Sequence, residues 1–307
     1  MSSQCNRTTV LGVKPTRRQF LVLGAATGAA VLLNACSDDA GSSPSSEPGT
    51  LDGTDLPEEF SIVQRFPNHP LFVPGEESRL PIGIIQGQGL RDNGPAELTG
   101  WIEDFNGERI TDVVGRLRRD GMSVAYWEVR AELPKAVVYT LRLDGDDGYG
   151  ATFELFDPAD VSTPLTGSPM PPFDTPTTDD PRGVDPICSL APEPCPFHSL
   201  TLTEALAAGK PVAYLVGTPG HCQTGTCTPG LQFLMEEAER VGDALVCVHA
   251  DVYADAEATI VAPAVEALDV QYEPIIYFID AGGTIVDRLD AIWDRSELRE
   301  RIDLLLG

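Results

Sequence analysis

Positive charge is scarce in this chain: 21 Lys+Arg stand against 47 Asp+Glu, with four His, for a formal net charge of -26. A polyanion has no electrostatic means of gathering nucleic-acid phosphates or an anionic lipid surface, so neither is expected as a partner. The excess acid reads instead as solubility or salt tolerance. Methionine is also rare, with four residues. The apolar run 20–33 falls short of the roughly 20 residues a membrane-spanning helix needs. The hydrophobic fraction, 42%, is ordinary, and 307 residues are enough for two cores plus tails.

The same apolar run has the length of a signal h-region. Thr16-Arg17-Arg18-Gln19-Phe20-Leu21 precedes it and resembles a twin-arginine export signal. Leu33-Asn34-Ala35-Cys36 closes it and resembles a bacterial lipobox, which implies lipidation of Cys36 as the first mature residue. Asn34 is unusual there, and simple cleavage near Ala35 is the alternative. Either route implies a mature chain outside the cytoplasm, and the lipobox implies a lipid anchor on the extracytoplasmic face of the cell membrane. Of seven cysteines, Cys5 then leaves with the signal and Cys36 carries lipid. Cys188, Cys195, Cys222, Cys227 and Cys247 remain, and in an oxidising compartment close pairs default to disulfides.

Residues 37–58, rich in Ser, Gly, Pro and Asp, read as a disordered tether. Between residues 59 and 157, short apolar runs at 60–66, 80–85, 98–103, 109–114, 123–129, 136–143 and 149–156 alternate with turn signals. Seven short strands with no helical pattern predict an all-β, immunoglobulin-like sandwich domain. It offers no catalytic constellation, and Trp101 and Trp127 read as core residues. Residues 158–193 form a Pro-rich linker or strap, with eight prolines between Pro158 and Pro186.

Residues 194–307 change character, with helix and strand patterns alternating. A short helix at 203–208, a buried strand at 211–216 and an amphipathic helix at 229–241 are followed by a strand at 244–249 and a partly helical stretch at 255–268. Strands at 275–279 and 284–289 flank the turn Ala281-Gly282-Gly283, and Asp294 to Glu297 has the form of a capping box opening a last helix. At the junction of the first strand and its helix lies Gly220-His-Cys-Gln-Thr-Gly-Thr-Cys-Thr-Pro-Gly230.

That order, with a cysteine pair at that junction, resembles the α/β thioredoxin-like fold. Lys210 to Cys222 resembles the strand entering a thioredoxin-type active site, Tyr272-Glu273-Pro274-Ile275 the cis-proline segment, and 280–289 the terminal hairpin. With the N-terminal motifs, the whole resembles bacterial membrane-anchored thioredoxin-domain lipoproteins. Three features depart from the family. Four residues rather than two separate Cys222 and Cys227, His221 precedes the first cysteine, and Val216 stands where thioredoxins carry a buried acid. In a helix, residues five apart have Cα atoms about 8.6 Å apart, beyond the roughly 7 Å limit for a disulfide. A bonded pair therefore requires a non-helical loop, for which Gly225 and Pro229 are suited.

Cys222, ahead of a helix N-terminus and beside His221, is placed to have its thiolate favoured. It is assigned as attacking nucleophile and Cys227 as the resolving thiol. The resemblance implies a cis Pro274 against the pair, and protein thiols or disulfides as substrates with a membrane redox partner to recycle the pair. No cofactor is implied. Two other readings stay open: a permanent structural disulfide in a degenerate scaffold, or a Cu(I)-binding chaperone with His221, His198 or His249 as third ligand. No Met-rich segment accompanies the pair. Cys188 and Cys195 read as a structural disulfide closing a proline-rich loop, since a zinc site would need a fourth ligand not evident nearby in sequence. Cys247 reads as an inert core thiol and His249 as structural.

Overall fold

The computed structural model describes residues 55, 56, 59–87, 89–146 and 148–307, which all fall in one compact unit. The export-signal motif, Cys36 and nearly all of the tether lie outside the described residues. Strands β1 (Ser61–Gln64), β2 (Glu77–Gln86), β3 (Gly89–Leu90), β4 (Glu97–Asp104), β5 (Arg109–Arg118), β6 (Tyr126–Glu132), β7 (Val138–Leu143) and β8 (Ala151–Glu154) cover the seven apolar runs and add the two-residue β3. They pair antiparallel in one continuous path, β1-β2-β6-β5-β4-β7-β8, with β3 beside β2. The expected immunoglobulin-like sandwich would divide into two sheets, but here β5 pairs with both β4 and β6, so hydrogen bonding is not interrupted. The end strands β1 and β8 come back into contact, and the curled sheet encloses Ile82, Ile102, Trp127, Leu141 and Phe153.

Side chains on a strand alternate between faces, and that rule separates the two tryptophans. On β4, Leu98 and Ile102 point into the core. Trp101 has the opposite parity and lies on the outer face, with the Arg109 guanidinium 4.9 Å above its ring and its Nε1 donating to Glu103. Trp127 is fully buried and donates to the Pro95 carbonyl at 2.9 Å. Its neighbours Tyr126 and Glu128 are buried too, although they face away from that core.

The C-terminal elements explain why. Helix α1 (Leu202–Ala207), β9 (Val212–Val216), α2 (Cys227–Val241), β10 (Val246–Ala250), α3 (Pro263–Leu268), β11 (Ile275–Ile279), β12 (Ile285–Asp290) and α4 (Arg295–Leu306) build a four-stranded sheet of order β10-β9-β11-β12. β9 and β10 are parallel, and β11 is antiparallel to both β9 and β12. Every residue of β9 and β11 is buried, as expected for strands covered on both faces. Tyr214 and Tyr277 share one apolar cluster with Leu202 of α1 and Leu268 of α3. Leu215 and Phe278 share the other with Leu231 of α2 and Leu298 of α4.

Helix α4 also covers the outer face of β6. Its first turn is capped by Asp294, whose Oδ1 accepts from the Glu297 amide at 2.7 Å while Oδ2 accepts from the Arg119 and Asp120 amides at 2.8 Å each. Buried Glu297 accepts from Arg79 of β2 and from the Tyr126 hydroxyl, and Arg118 bridges Glu128 and Glu300. The proline-rich segment lies along the C-terminal sheet as a strap: it bridges Pro169 to Thr284 and Asp185 to Asp255, and buries Met170 and Val184.

Candidate functional site

Cys222 and Cys227 form a disulfide with Cα atoms 5.9 Å apart. This separation is reached because residues 222–226 are a turn, with Gly225 at φ +69°, and α2 begins only at Cys227. The two sulfurs are unequal. Cys227 is fully buried, whereas Cys222 is half-buried at the rim. The Cys227 amide, at the N-terminus of α2, donates to the Cys222 sulfur at 3.3 Å, and the Thr224 hydroxyl lies 3.2 Å from the same atom. Both contacts favour negative charge there, as does the helix terminus.

Gly217, the residue after β9, passes directly behind the pair. A Cβ at that position would stand 3.6 Å from the Cys227 sulfur and 3.2 Å from Pro274. The Glu273–Pro274 peptide is cis. His221 is exposed and packs edge-on against Tyr253 at 6.1 Å, which places it on the rim.

Sequence reasoning missed Glu273. Its carboxylate stands 3.7 Å from the Cys227 sulfur and accepts from the Thr218 amide. Burial pushes this carboxyl above the usual carboxylate range, while the Thr218 amide pulls the other way. An acid therefore does lie beside Cys227 despite Val216, delivered by the cis-proline loop rather than by the first strand. The signal available in the sequence was the acidic residue directly before Pro274.

The second pair departs from expectation. Cys188 and Cys195 are free thiols, not a disulfide. Both are buried, as are His198 and His249, and the four donor atoms lie within 4.8 Å of one another. His198 and His249, offered by the sequence as ligands beside Cys222 and Cys227, are thus grouped with the other two cysteines. Cys247 is partly buried on β10, and burial pushes its thiol up to about 12, which keeps it protonated and inert.

The four-stranded sheet, the helices on its two faces, the disulfide at the start of α2 and the cis-proline loop against it define the C-terminal part. It is a thioredoxin-like fold. No protein-family model matches the chain, and the comparison with curated proteins gives no match. Among solved structures, a thiol:disulfide interchange protein of the thioredoxin family from Chlorobium tepidum TLS is similar over 47% of this chain and 99% of its own, with 13% identity and a TM-score of 0.34. At that score the likeness adds no weight to the topology.

Proposed function

We propose that the chain is an extracytoplasmic, lipid-anchored thiol-disulfide oxidoreductase acting on protein thiols through Cys222 and Cys227. The observation that carries this reading is the asymmetry of the pair: a half-buried cysteine ahead of a helix N-terminus is bonded to a fully buried one with a carboxylate 3.7 Å away. A structural bridge has no use for either feature.

In the oxidised form a substrate thiolate attacks the accessible Cys222 sulfur. The Cys222–Cys227 bond breaks, a mixed disulfide forms, and Cys227 leaves as a thiolate that takes a proton from Glu273. A second substrate thiolate attacks the substrate sulfur of the mixed disulfide. This releases Cys222 as a thiolate, held by the Cys227 amide, and leaves the substrate oxidised by two electrons. Run in reverse, Glu273 accepts the Cys227 proton so that Cys227 can resolve the mixed disulfide. Beside Glu273 lies a cleft of about 160 Å³ lined by Val252, Tyr253, Val261 and Tyr272, a size that suits one apolar side chain flanking the substrate cysteine. The Cu(I)-carrier reading loses support because His198 and His249 lie with Cys188 and Cys195.

The test is alkylation and mass spectrometry of the purified full chain across defined redox buffers. A Cys222/Cys227 pair titrating between about -120 and -270 mV supports catalysis, and its position sets the direction. A pair still oxidised below about -300 mV overturns the proposal in favour of a structural bridge.

A further inference from the structure

Cys188, Cys195, His198 and His249 form a cluster that the oxidoreductase reading leaves unused. Cys188 comes from the strap, Cys195 and His198 from the segment between the strap and α1, and His249 from β10, and none is more than 5% exposed. The Cys195 sulfur is 3.3 Å from His198 Nε2 and 3.4 Å from His249 Nδ1. The Cys188 sulfur is 3.7 Å from His249 Nδ1, and the two imidazole nitrogens are 3.3 Å apart.

These are four of the six edges of a coordination tetrahedron, and the remaining two are within 4.8 Å. With Zn–S of about 2.3 Å and Zn–N of about 2.05 Å, tetrahedral angles place sulfur and nitrogen about 3.6 Å apart and two nitrogens about 3.3 Å apart. The protonation pattern agrees. His249 Nε2 lies 2.8 Å from the Gly217 carbonyl, which can only accept, so Nε2 carries the proton and the Nδ1 lone pair faces the cluster. His198 Nδ1 has no hydrogen-bond partner among the described residues, and the ring's polar contacts lie on the Nε2 side, toward Cys195 and His249. A Cys188–Cys195 disulfide would remove both sulfur donors and leave two imidazoles buried edge-on to one another.

We infer that Cys188, Cys195, His198 and His249 bind one tetrahedral divalent metal ion of the zinc class, closing the strap onto the end of β10. Binding releases the two thiol protons, and two thiolates neutralise the charge of the ion. All four positions are filled by protein and buried, so the centre is structural rather than catalytic. It also positions the dithiol loop. His249 holds the Gly217 carbonyl directly behind Cys227, and Ser189, next to Cys188, accepts from the Gly220 amide at 3.0 Å.

The experiment is metal analysis of the purified, reduced full chain after equilibration with Zn2+ and removal of free ion. A parallel Co2+ titration is followed by the visible absorption of tetrahedral thiolate-bound cobalt. The expected result is about one zinc per chain, the cobalt spectrum displaced by Zn2+, and unchanged stoichiometry in Cys222→Ser. In Cys188→Ser and His249→Gln the zinc content falls at least tenfold. Because those variants can fail by misfolding, native alkylation of the unaltered chain gives an independent reading: Cys188 and Cys195 are protected with zinc present and react after chelation. The inference is overturned if the unaltered chain holds less than about a tenth of an equivalent and gives no tetrahedral cobalt spectrum. It is equally overturned if zinc is lost in Cys222→Ser but kept in Cys188→Ser, or if Cys188 and Cys195 are found bonded to each other in the isolated protein. None of these readouts depends on whether Cys222 and Cys227 are redox-active.

Discussion

Arg79 and Glu297, 218 positions apart, form a buried two-pronged ion pair, with Arg79 Nε and Nη2 at 2.6 and 2.7 Å from the two carboxylate oxygens. Arg79 also donates to the Asp290 carbonyl at 3.1 Å and to the Ile292 carbonyl, so one side chain of the N-terminal sheet holds the end of β12 and the start of α4. Breaking a buried pair from one side leaves the other charge uncompensated, which costs more than the pair itself contributes. Arg79→Ala is therefore expected to lose about 3–5 kcal/mol of unfolding free energy, read from denaturant titration. A loss of under about 1 kcal/mol would mean that Tyr126 and Arg130 alone satisfy Glu297.

Glu128 sets an acid limit on the same interface. Burial alone would raise its carboxyl, but Arg130, Arg79 and Arg118 together hold it at about 2 against an ordinary 4.5. A folded-state value below the unfolded one contributes stability above the unfolded value, and that contribution is lost as pH falls. Between about pH 4.5 and 2 this group should account for up to ~3 kcal/mol of lost stability. Glu128→Gln should flatten that part of the stability profile. An unchanged acid slope would show that Glu128 is not the group responsible.

Glu273 is expected to act on Cys227 and not on Cys222. Glu273→Gln keeps the Thr218 contact but cannot exchange the Cys227 proton, so turnover of a model protein disulfide should fall by roughly 10²-fold. The rate at which reduced Cys222 is alkylated, followed against pH, should barely move. A large shift in that profile would place Glu273 in control of the nucleophile instead.

Membrane attachment is checked at Cys36. In cells, Cys36→Ser should transfer the chain from the membrane to the soluble extracytoplasmic fraction and abolish incorporation of labelled lipid. A variant that stays membrane-bound would rule out the lipid anchor at that residue.

The local pattern of the chain determined a good deal by itself. Short apolar runs between turn signals marked seven of the eight strands of the N-terminal sheet, because both are local features that need no knowledge of the partner. Simple helix geometry showed that a bonded Cys222–Cys227 pair cannot sit on a regular helix, and the turn before Cys227 meets that requirement. What only the tertiary structure decided are contacts between distant residues. Nearness in sequence suggested that Cys188 bonds Cys195, yet the ligand that turns them into a metal cluster is His249, on the strand beside β9. Likewise Val216 suggested that the acid was lost, while Glu273 reaches Cys227 from the cis-proline loop before β11. Trp101 was misjudged by a single step of parity, while Tyr126 is buried against Glu297 of α4 and Glu128 beneath Arg118, which reaches on to Glu300 of the same helix. Packing brings such partners together, and no spacing rule within one segment encodes which surface will cover another.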